Sequence, residues 1–165
     1  TRWVFTINLI AWFLLMIWNL LSYLAIQMSD FIKEHKNFSV NAIIRKHGRE
    51  LGFIEDNGES FLQAVTQFYF INIFLWFVVF IGLVMMYRKL KMYPMILLGT
   101  ILLHFVVMLW MLGLQYFIES VSYFDKLLYG LLVISVILHS TLMNIEKSDK
   151  QKYSYHGAEE EGGKA

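Results

Sequence analysis

Four long apolar runs divide the chain, and charged or turn-forming residues separate them. The runs cover about residues 3–27, 66–87, 94–115 and 126–145. A helix needs roughly 20 apolar residues to cross the approximately 30 Å hydrocarbon core of a bilayer, and each run is close to that length or longer. The pattern therefore predicts an all-α, polytopic integral membrane protein, with four transmembrane helices forming one domain over residues 1–145.

The first loop, residues 30–59, is the longest polar segment before the C-terminal end. Ser39 is suited to cap a short helix there, because apolar residues recur after it with helical spacing. That apolar face consists of Val40, Ile43, Ile44, Leu51 and Ile54, and the opposite side carries Arg45, Lys46 and Arg49. Three interpretations remain open: an amphipathic helix at the membrane interface, a docking surface for a partner, or a helix packed over its own bundle.

Local turn and capping signals mark the helix boundaries. Residues 56–58 (Asp-Asn-Gly) predict a turn. Ser60, with Gln63 three residues later, resembles a capping box at the start of the second membrane helix. Ser122 and Asp125 predict a similar N-terminal cap for the fourth helix. Beyond residue 145, the polar segment 146–165 predicts a flexible, extended tail.

A short basic turn joins the second and third runs. Its charged residues are Arg88, Lys89 and Lys91, with a tyrosine on either side. Pro94 follows, a residue favoured in the first turn of a helix, and so short a connection predicts antiparallel neighbours. Four crossings place both termini on the side of this turn. The positive-inside rule then puts the termini in the cytoplasm or matrix, in a bacterial inner membrane or an organellar membrane.

Few polar side chains fall inside the predicted spans. They include Asn8, Asn19, Asn72, His104, Ser135 and His139. Asn8 and Asn19 share one helical stripe with Trp12 and Leu15. Polar groups in a membrane helix face the bundle interior, where amides bond across helices. We therefore interpret this set first as packing residues that hold the helices together.

Apart from Lys126 at the first position of the fourth span, the predicted spans carry no Asp, Glu, Lys or Arg, and His104 and His139 are their only histidines. Two facing histidines are what haem b requires, so they are the candidate haem ligands. Counting residues from the ends of their spans predicts a difference in depth of about 6 Å. Adjacent antiparallel helices would need tilt to accommodate it, so no cofactor is expected, and haem b is kept as an alternative.

Composition narrows the function classes further. Hydrophobic residues make up 58% of the chain, against about 45–50% in a soluble domain. The absence of cysteine removes disulfides, thiolate metal sites and cysteine nucleophiles. A net charge of +1 gives no basic excess for nucleic acid. His35 and His47 lie in the first loop without a metal-ligand spacing, and we predict that they are solvated.

No catalytic or phosphate-binding motif occurs in the sequence, and we predict no catalytic residues. The spanning runs are rich in bulky side chains and poor in the small ones that let helices pair closely. The leading hypothesis is therefore a non-catalytic subunit, or an assembly and stabilising partner, of a larger membrane protein complex, in contact with lipid and with other integral membrane subunits. A small homo-oligomeric channel or transporter is the first alternative. The second is a b-haem or quinone-reactive membrane anchor that uses His104 and His139.

Overall fold

The computed structural model describes the backbone of residues 2–162 and the side chains of residues 2–145. Its elements are α1 (Arg2–Gln27), α2 (Ser29–Lys36), α3 (Val40–Glu50), α4 (Glu59–Tyr87), α5 (Tyr93–Glu119) and α6 (Tyr123–Gly162). Within the described residues, α1, α4, α5 and the part of α6 up to Ile145 are long and apolar enough to cross a membrane. The prediction of an all-α protein with four membrane helices is confirmed.

The four long helices form a ring. Helix α4 packs against both α1 and α5, and α6 closes the ring by packing against α1 and α5. The ring has two sides: the terminal side, where α1 begins and residues 88–92 turn, and the cap side at its other end. Buried side chains form one cluster around Trp76, Leu83 and Leu132 and a second, nearer the cap side, around Phe61 and Phe68.

The outside of the ring is covered with bulky apolar side chains. On α4 the exposed residues include Phe70, Phe74 and Phe77, and Trp110 of α5 is 84% exposed. Apolar surface of this extent would be costly in water, at roughly 25 cal/mol per Å², and is stable against hydrocarbon. The exterior is therefore consistent with contact with a lipid bilayer.

Gly82 allows α4 and α5 to approach closely. A Cβ atom at this position would lie 2.6 Å from Leu97 Cδ2, and Leu97 is itself buried. Gly130 on α6 makes no such close approach, since a Cβ atom there would meet no atom within 4 Å. Sequence alone does not give the rotation of α6 that turns Gly130 toward open space.

Residues 29–58, hereafter the cap, cover one end of the ring. Helix α3 begins where predicted, since Ser39 Oγ accepts a hydrogen bond from the Ala42 N–H at 3.3 Å. Val40 and Ile44 pack against the cluster beneath them, whereas Ile43 is 49% exposed. The helix thus packs over its own bundle with only part of its predicted apolar face. Helix α2, which the sequence did not predict, precedes it.

Asp56 caps the start of α4. Its carboxylate accepts hydrogen bonds from the N–H groups of Gly58 (3.2 Å) and Ser60 (2.7 Å). Desolvation raises the pKa of Asp56, but the hydrogen bonds from Ser60 and Gly58 outweigh it and hold that pKa below its usual range. The predicted capping role of Ser60 is wrong, because α4 begins at Glu59, one residue earlier.

The remaining boundaries match the predictions in part. At the start of α6, Ser122 Oγ accepts from the Asp125 N–H at 3.1 Å and donates to its carboxylate at 2.8 Å, so the predicted cap is confirmed. Helix α5 is kinked at Gly113, whose φ of 82° is not helical. The predicted tail, 146–165, lies outside the residues whose side chains are described. Along the backbone, α6 continues to Gly162.

Candidate functional site

A chain of hydrogen bonds crosses three helices inside the ring. The His104 Nδ1 atom of α5 lies 2.6 Å from Asn72 Oδ1 on α4. Asn72 Nδ2 donates to Asn19 Oδ1 on α1 at 2.8 Å, and Asn19 Nδ2 donates to the Leu15 carbonyl at 2.7 Å. All three polar side chains are at least nine-tenths buried. The predicted polar residues of α1, α4 and α5 therefore meet at one place.

The direction of donation along this chain fixes the tautomer of His104. Because Asn72 Oδ1 can only accept, the proton sits on Nδ1 and Nε2 carries the lone pair. The His104 ring lies among aromatic side chains, with the ring centroids of Trp76 and Tyr129 at 5.5 and 5.1 Å from its own. Among the described side chains, His104 Nε2 and Trp76 Nε1 are buried without a hydrogen-bond partner. At the α1 end of the network, both amide atoms of Asn19 have hydrogen-bond partners. At the α5 end, His104 Nε2 has none.

Further side-chain hydrogen bonds join other pairs of neighbouring helices in the ring. Ser135 Oγ of α6 donates to Asn8 Oδ1 of α1 at 2.6 Å. The Tyr93 hydroxyl of α5 lies 2.6 Å from His139 Nδ1 of α6, and Trp12 Nε1 of α1 donates to the Trp76 carbonyl of α4 at 2.6 Å. Every pair of adjacent spanning helices therefore has at least one side-chain hydrogen bond between its members.

His104 and His139 do not converge on one site. His139 lies against Tyr93, in the first turn of α5, whereas His104 follows Tyr93 by eleven residues. At 1.5 Å per residue, this places the two histidines about 16 Å apart along α5, not the 6 Å expected from the span ends. Counting residues from the span ends underestimated this separation, because α6 continues beyond the end of its apolar run. This arrangement does not suit a haem held by both residues, and haem b stays a prediction without geometric support.

Among the described residues, the polar cavity inside the ring is small and borders an apolar layer. A cavity of about 50 Å³ lies toward the cap side, lined in part by Asn19, Asn72 and Asp125, with room for a few water molecules at most. Next to it, the Trp76 and Tyr129 rings stack at 5.9 Å, and Leu83 and Leu132 beyond them are fully buried. The polar groups thus end against a closed apolar layer.

A larger cleft of about 510 Å³ opens beneath α3, between the cap and the ring. Its walls are mostly apolar and include Ile26, Ile44 and Val65. Five polar side chains also line it: Ser22, His47, Tyr69, Tyr116 and Ser120. Convergent polar groups in an apolar cleft are the usual features of a small-molecule site.

His47 joins the cap to the end of α5. Its Nε2 atom lies 2.7 Å from Ser120 Oγ, and its Nδ1 atom lies 3.5 Å from Glu50 Oε2. The prediction that His47 is solvated is wrong, since contact with α5 half-buries it. His35, in contrast, is exposed and bonds only the Phe31 carbonyl, at 3.0 Å. No local sequence pattern indicates the His47–Ser120 pair, because 73 residues separate its members.

The predicted docking residues of α3 are divided between two surfaces. Val40 and Ile44 face the bundle, and Arg45 Nε pairs with Glu59 Oε2 at 2.6 Å. Lys46 and Arg49 are exposed. Together with the exposed side chain of Ile43, they form the outer face of α3. A partner could reach only this outer face without displacing the cap.

The basic turn lies on the terminal side. Arg88, Lys89 and Lys91 are exposed, and Lys89 adopts a left-handed conformation with φ 55°. A cavity of about 590 Å³ is lined by Lys89, Arg2 and His139, among others. Of the predicted polar residues in the spans, His139 is therefore the one that borders an open cavity on this side.

No group of three or more potential metal ligands converges among the described residues. Comparison with known proteins gives no matching family model, no matching curated protein and no matching solved structure. The site geometry is therefore the basis for any functional argument.

Proposed function

We propose that this chain is an integral membrane subunit, or an assembly partner, of a larger membrane protein complex, with its spanning bundle as a non-catalytic scaffold. The observation that carries the proposal is how the intramembrane polar side chains are used. Asn8, Asn19, Asn72 and Ser135 all bond to neighbouring helices within the ring. These bonds hold four helices in fixed positions and leave the outer surfaces for recognition.

A channel or transporter fits this arrangement less well. A path between protomers of a homo-oligomer requires polar groups on the outside of the bundle, whereas Asn8 and Asn72 are fully buried inside it. A path through one protomer meets the layer formed by Trp76 and Tyr129. No observation on the described residues favours this alternative over the scaffold.

The outer face of α3 is the docking surface that we propose. It presents the two cations Lys46 and Arg49, and Ile43, which also lines the cleft beneath α3, lies at its edge. Interfaces of this kind are selective for a partner with acidic residues around an apolar patch, since complementary charge guides association. The matching partner is another integral membrane subunit with an acidic loop on the cap side.

The test is isolation of the protein from its native membrane in lipid nanodiscs, followed by native mass spectrometry. We expect a partner subunit at a fixed stoichiometry. The double variant Lys46→Glu/Arg49→Glu should lose that partner. Its matched control, Lys33→Glu/Lys36→Glu, makes the same charge change on the exposed side of α2 and should retain it.

A lone monomer from native nanodiscs, with no associated subunit at any expression level, would overturn the proposal. Equal loss of the partner in both double variants would overturn the assignment of the docking surface. In that case the charge of the cap as a whole would govern association.

A further inference from the structure

Two side chains of the cap-side cleft, Ser120 and His47, and the exposed Glu50 beside His47 are arranged as a nucleophile, a base and an orienting acid. Ser120 Oγ lies 2.7 Å from His47 Nε2, and His47 Nδ1 lies 3.5 Å from Glu50 Oε2. This order, with a hydroxyl on one ring nitrogen and a carboxylate on the other, activates a serine in acyl-transfer enzymes on unrelated folds. We propose that Ser120 and His47 hydrolyse a carboxylic ester of an acyl lipid that enters the cleft. This activity goes beyond the scaffold role and lies at the cap end of the spanning bundle.

The fold holds His47 firmly over Ser120. Gly48, next in sequence, is buried against Phe61 so closely that a Cβ atom there would lie 2.6 Å from Phe61 Cβ. Arg45, on the same helix, pairs with Glu59 at the start of α4. One contact before His47 in sequence and one after it thus hold α3 against α4. Ser120 is equally placed by the fold, because it forms the C-cap of α5.

The cleft determines the substrate class. Its walls carry aliphatic and aromatic side chains, including Ile26, Ile44 and Phe61, and its volume is about 510 Å³. It lies where the apolar spanning helices meet the polar cap, the kind of boundary at which the ester groups of membrane lipids occur. An acyl chain can occupy the apolar walls while its ester carbonyl reaches Ser120. A soluble, fully polar ester would gain nothing from those walls.

The reaction proceeds in two balanced steps. Ser120 Oγ attacks the ester carbonyl carbon as its proton passes to His47 Nε2; the carbon–oxygen bond to the alcohol then breaks, and the alcohol leaves with that proton. Water next attacks the acyl-serine, giving one proton to His47, and the bond between Ser120 Oγ and the acyl carbon breaks as that proton returns to Ser120. The products are a free carboxylic acid and the alcohol. Glu50 is a positioning residue, which holds the His47 ring with Nδ1 protonated.

A hydroxyl donor for the developing oxyanion is present in the same cleft. The Tyr69 and Tyr116 hydroxyls lie 3.3 Å apart, and a single hydrogen bond between them uses only one of their two hydrogens. The second hydroxyl hydrogen can turn toward a substrate oxygen in the cleft that both residues line. A tyrosine hydroxyl is an established type of oxyanion donor.

A purely structural explanation also exists: the His47–Ser120 hydrogen bond could do no more than fasten the cap to α5. The experiment therefore measures covalent reactivity. The full chain in nanodiscs is treated with an alkyl fluorophosphonate, and the labelled residue is located by mass spectrometry. We expect the adduct on Ser120 in the wild-type protein, which requires no substitution and carries no folding risk.

Variants test the roles of the three residues. Labelling, and the hydrolysis of a long-chain p-nitrophenyl ester, should disappear in Ser120→Ala and fall about 100-fold or more in His47→Gln, the loss typical of a removed general base. Ser60→Ala, on the same side of the membrane, should keep full labelling. In Glu50→Gln we expect a lower kcat with an unchanged KM, because Glu50 positions His47. If Glu50 made only a surface contact, the substitution would change neither constant.

Two results would overturn the proposal. One is the absence of any Ser120 adduct in the wild type under conditions that label a reference serine hydrolase completely. The other is ester hydrolysis that persists in Ser120→Ala. If His47→Gln lowers the melting temperature while the wild type neither labels nor hydrolyses, the pair is a structural fastening only.

Discussion

His104 on α5 and Asn19 on α1 are joined through a single residue, Asn72 of α4, whose amide binds both. The His104 Nδ1 atom lies 2.6 Å from the amide oxygen, and the amide nitrogen lies 2.8 Å from Asn19 Oδ1. One side chain thus satisfies two partners on two other helices. Because no bulk water can replace a lost partner in a membrane interior, Asn72 is the central residue of this hydrogen-bond network.

Substitution of Gly82 by alanine should destabilise the bundle. The new Cβ atom would come within 2.6 Å of Leu97, and Leu97 is too deeply buried to move aside. We expect a loss of about 1–3 kcal/mol in the free energy of unfolding, typical of overpacking, measured by titration with a denaturing detergent. Gly99→Ala is the matched control on α5, since its Cβ atom meets nothing within 4 Å; a loss of similar size there would contradict the steric explanation.

Lys89→Gly should stabilise the protein. Lys89 lies just after α4 with φ 55°, a left-handed conformation that costs a side chain about 1–2 kcal/mol and costs glycine nothing. Part of this gain is offset by the larger entropy of glycine in the unfolded chain. The expected net gain is about 0.5–1 kcal/mol.

The neighbouring residue provides the control. Arg88 has φ −77°, so Arg88→Gly should lower stability instead. If both substitutions shift the melting temperature in the same direction, the backbone conformation of Lys89 is not the cause.

The cap of α4 should be sensitive to acid through Asp56. Because the folded protein holds the pKa of Asp56 below its unfolded value, its contribution to stability is complete above about pH 4, the ordinary aspartate pKa. It is lost as pH falls through the lower, folded pKa. Asp56→Asn should therefore lower the melting temperature at pH 7, and the difference from wild type should shrink below pH 4. A difference independent of pH would exclude a role for the charge.

The membrane orientation can be tested with single cysteines, since the chain contains none. Lys46 and Lys91 are both exposed and lie on opposite sides of the ring. We expect an impermeant maleimide to label Lys46→Cys from outside intact cells and to label Lys91→Cys only after permeabilisation, as the positive-inside rule predicts. The reverse pattern would place the termini outside.

Much of the fold follows from local sequence, because the length of an apolar run and the chemistry of a cap are local properties. The spans and the roles of Ser39 and Ser122 were predictable on that basis. Contacts between helices were not, since they depend on the order of helices in the ring and on the rotation of each. The Tyr93–His139 and His47–Ser120 pairs belong to this second class.

Capping of α4 shows the same limit on a smaller scale. Both Asp56 and Ser60 are good capping residues, and the sequence does not decide between them. The left-handed Gly58, with φ 82°, turns the backbone so that the Asp56 carboxylate reaches the first free N–H groups. A Cβ atom on Gly58 would meet the Arg45 carbonyl oxygen at 2.2 Å, so contact with α3 also requires glycine there.

The most direct test of the central claim, that the intramembrane polar residues hold the bundle together, is the free energy of unfolding of variants at Asn72 and its partners. Asn72→Leu should cost about 1–3 kcal/mol, because it leaves His104 Nδ1 and Asn19 Oδ1 without a hydrogen-bond partner inside the bundle. The triple variant Asn19→Leu/Asn72→Leu/His104→Leu should lose less than the sum of the three single losses, because the three side chains share the same two hydrogen bonds. A triple variant that loses at least the sum of the single losses would contradict the claim.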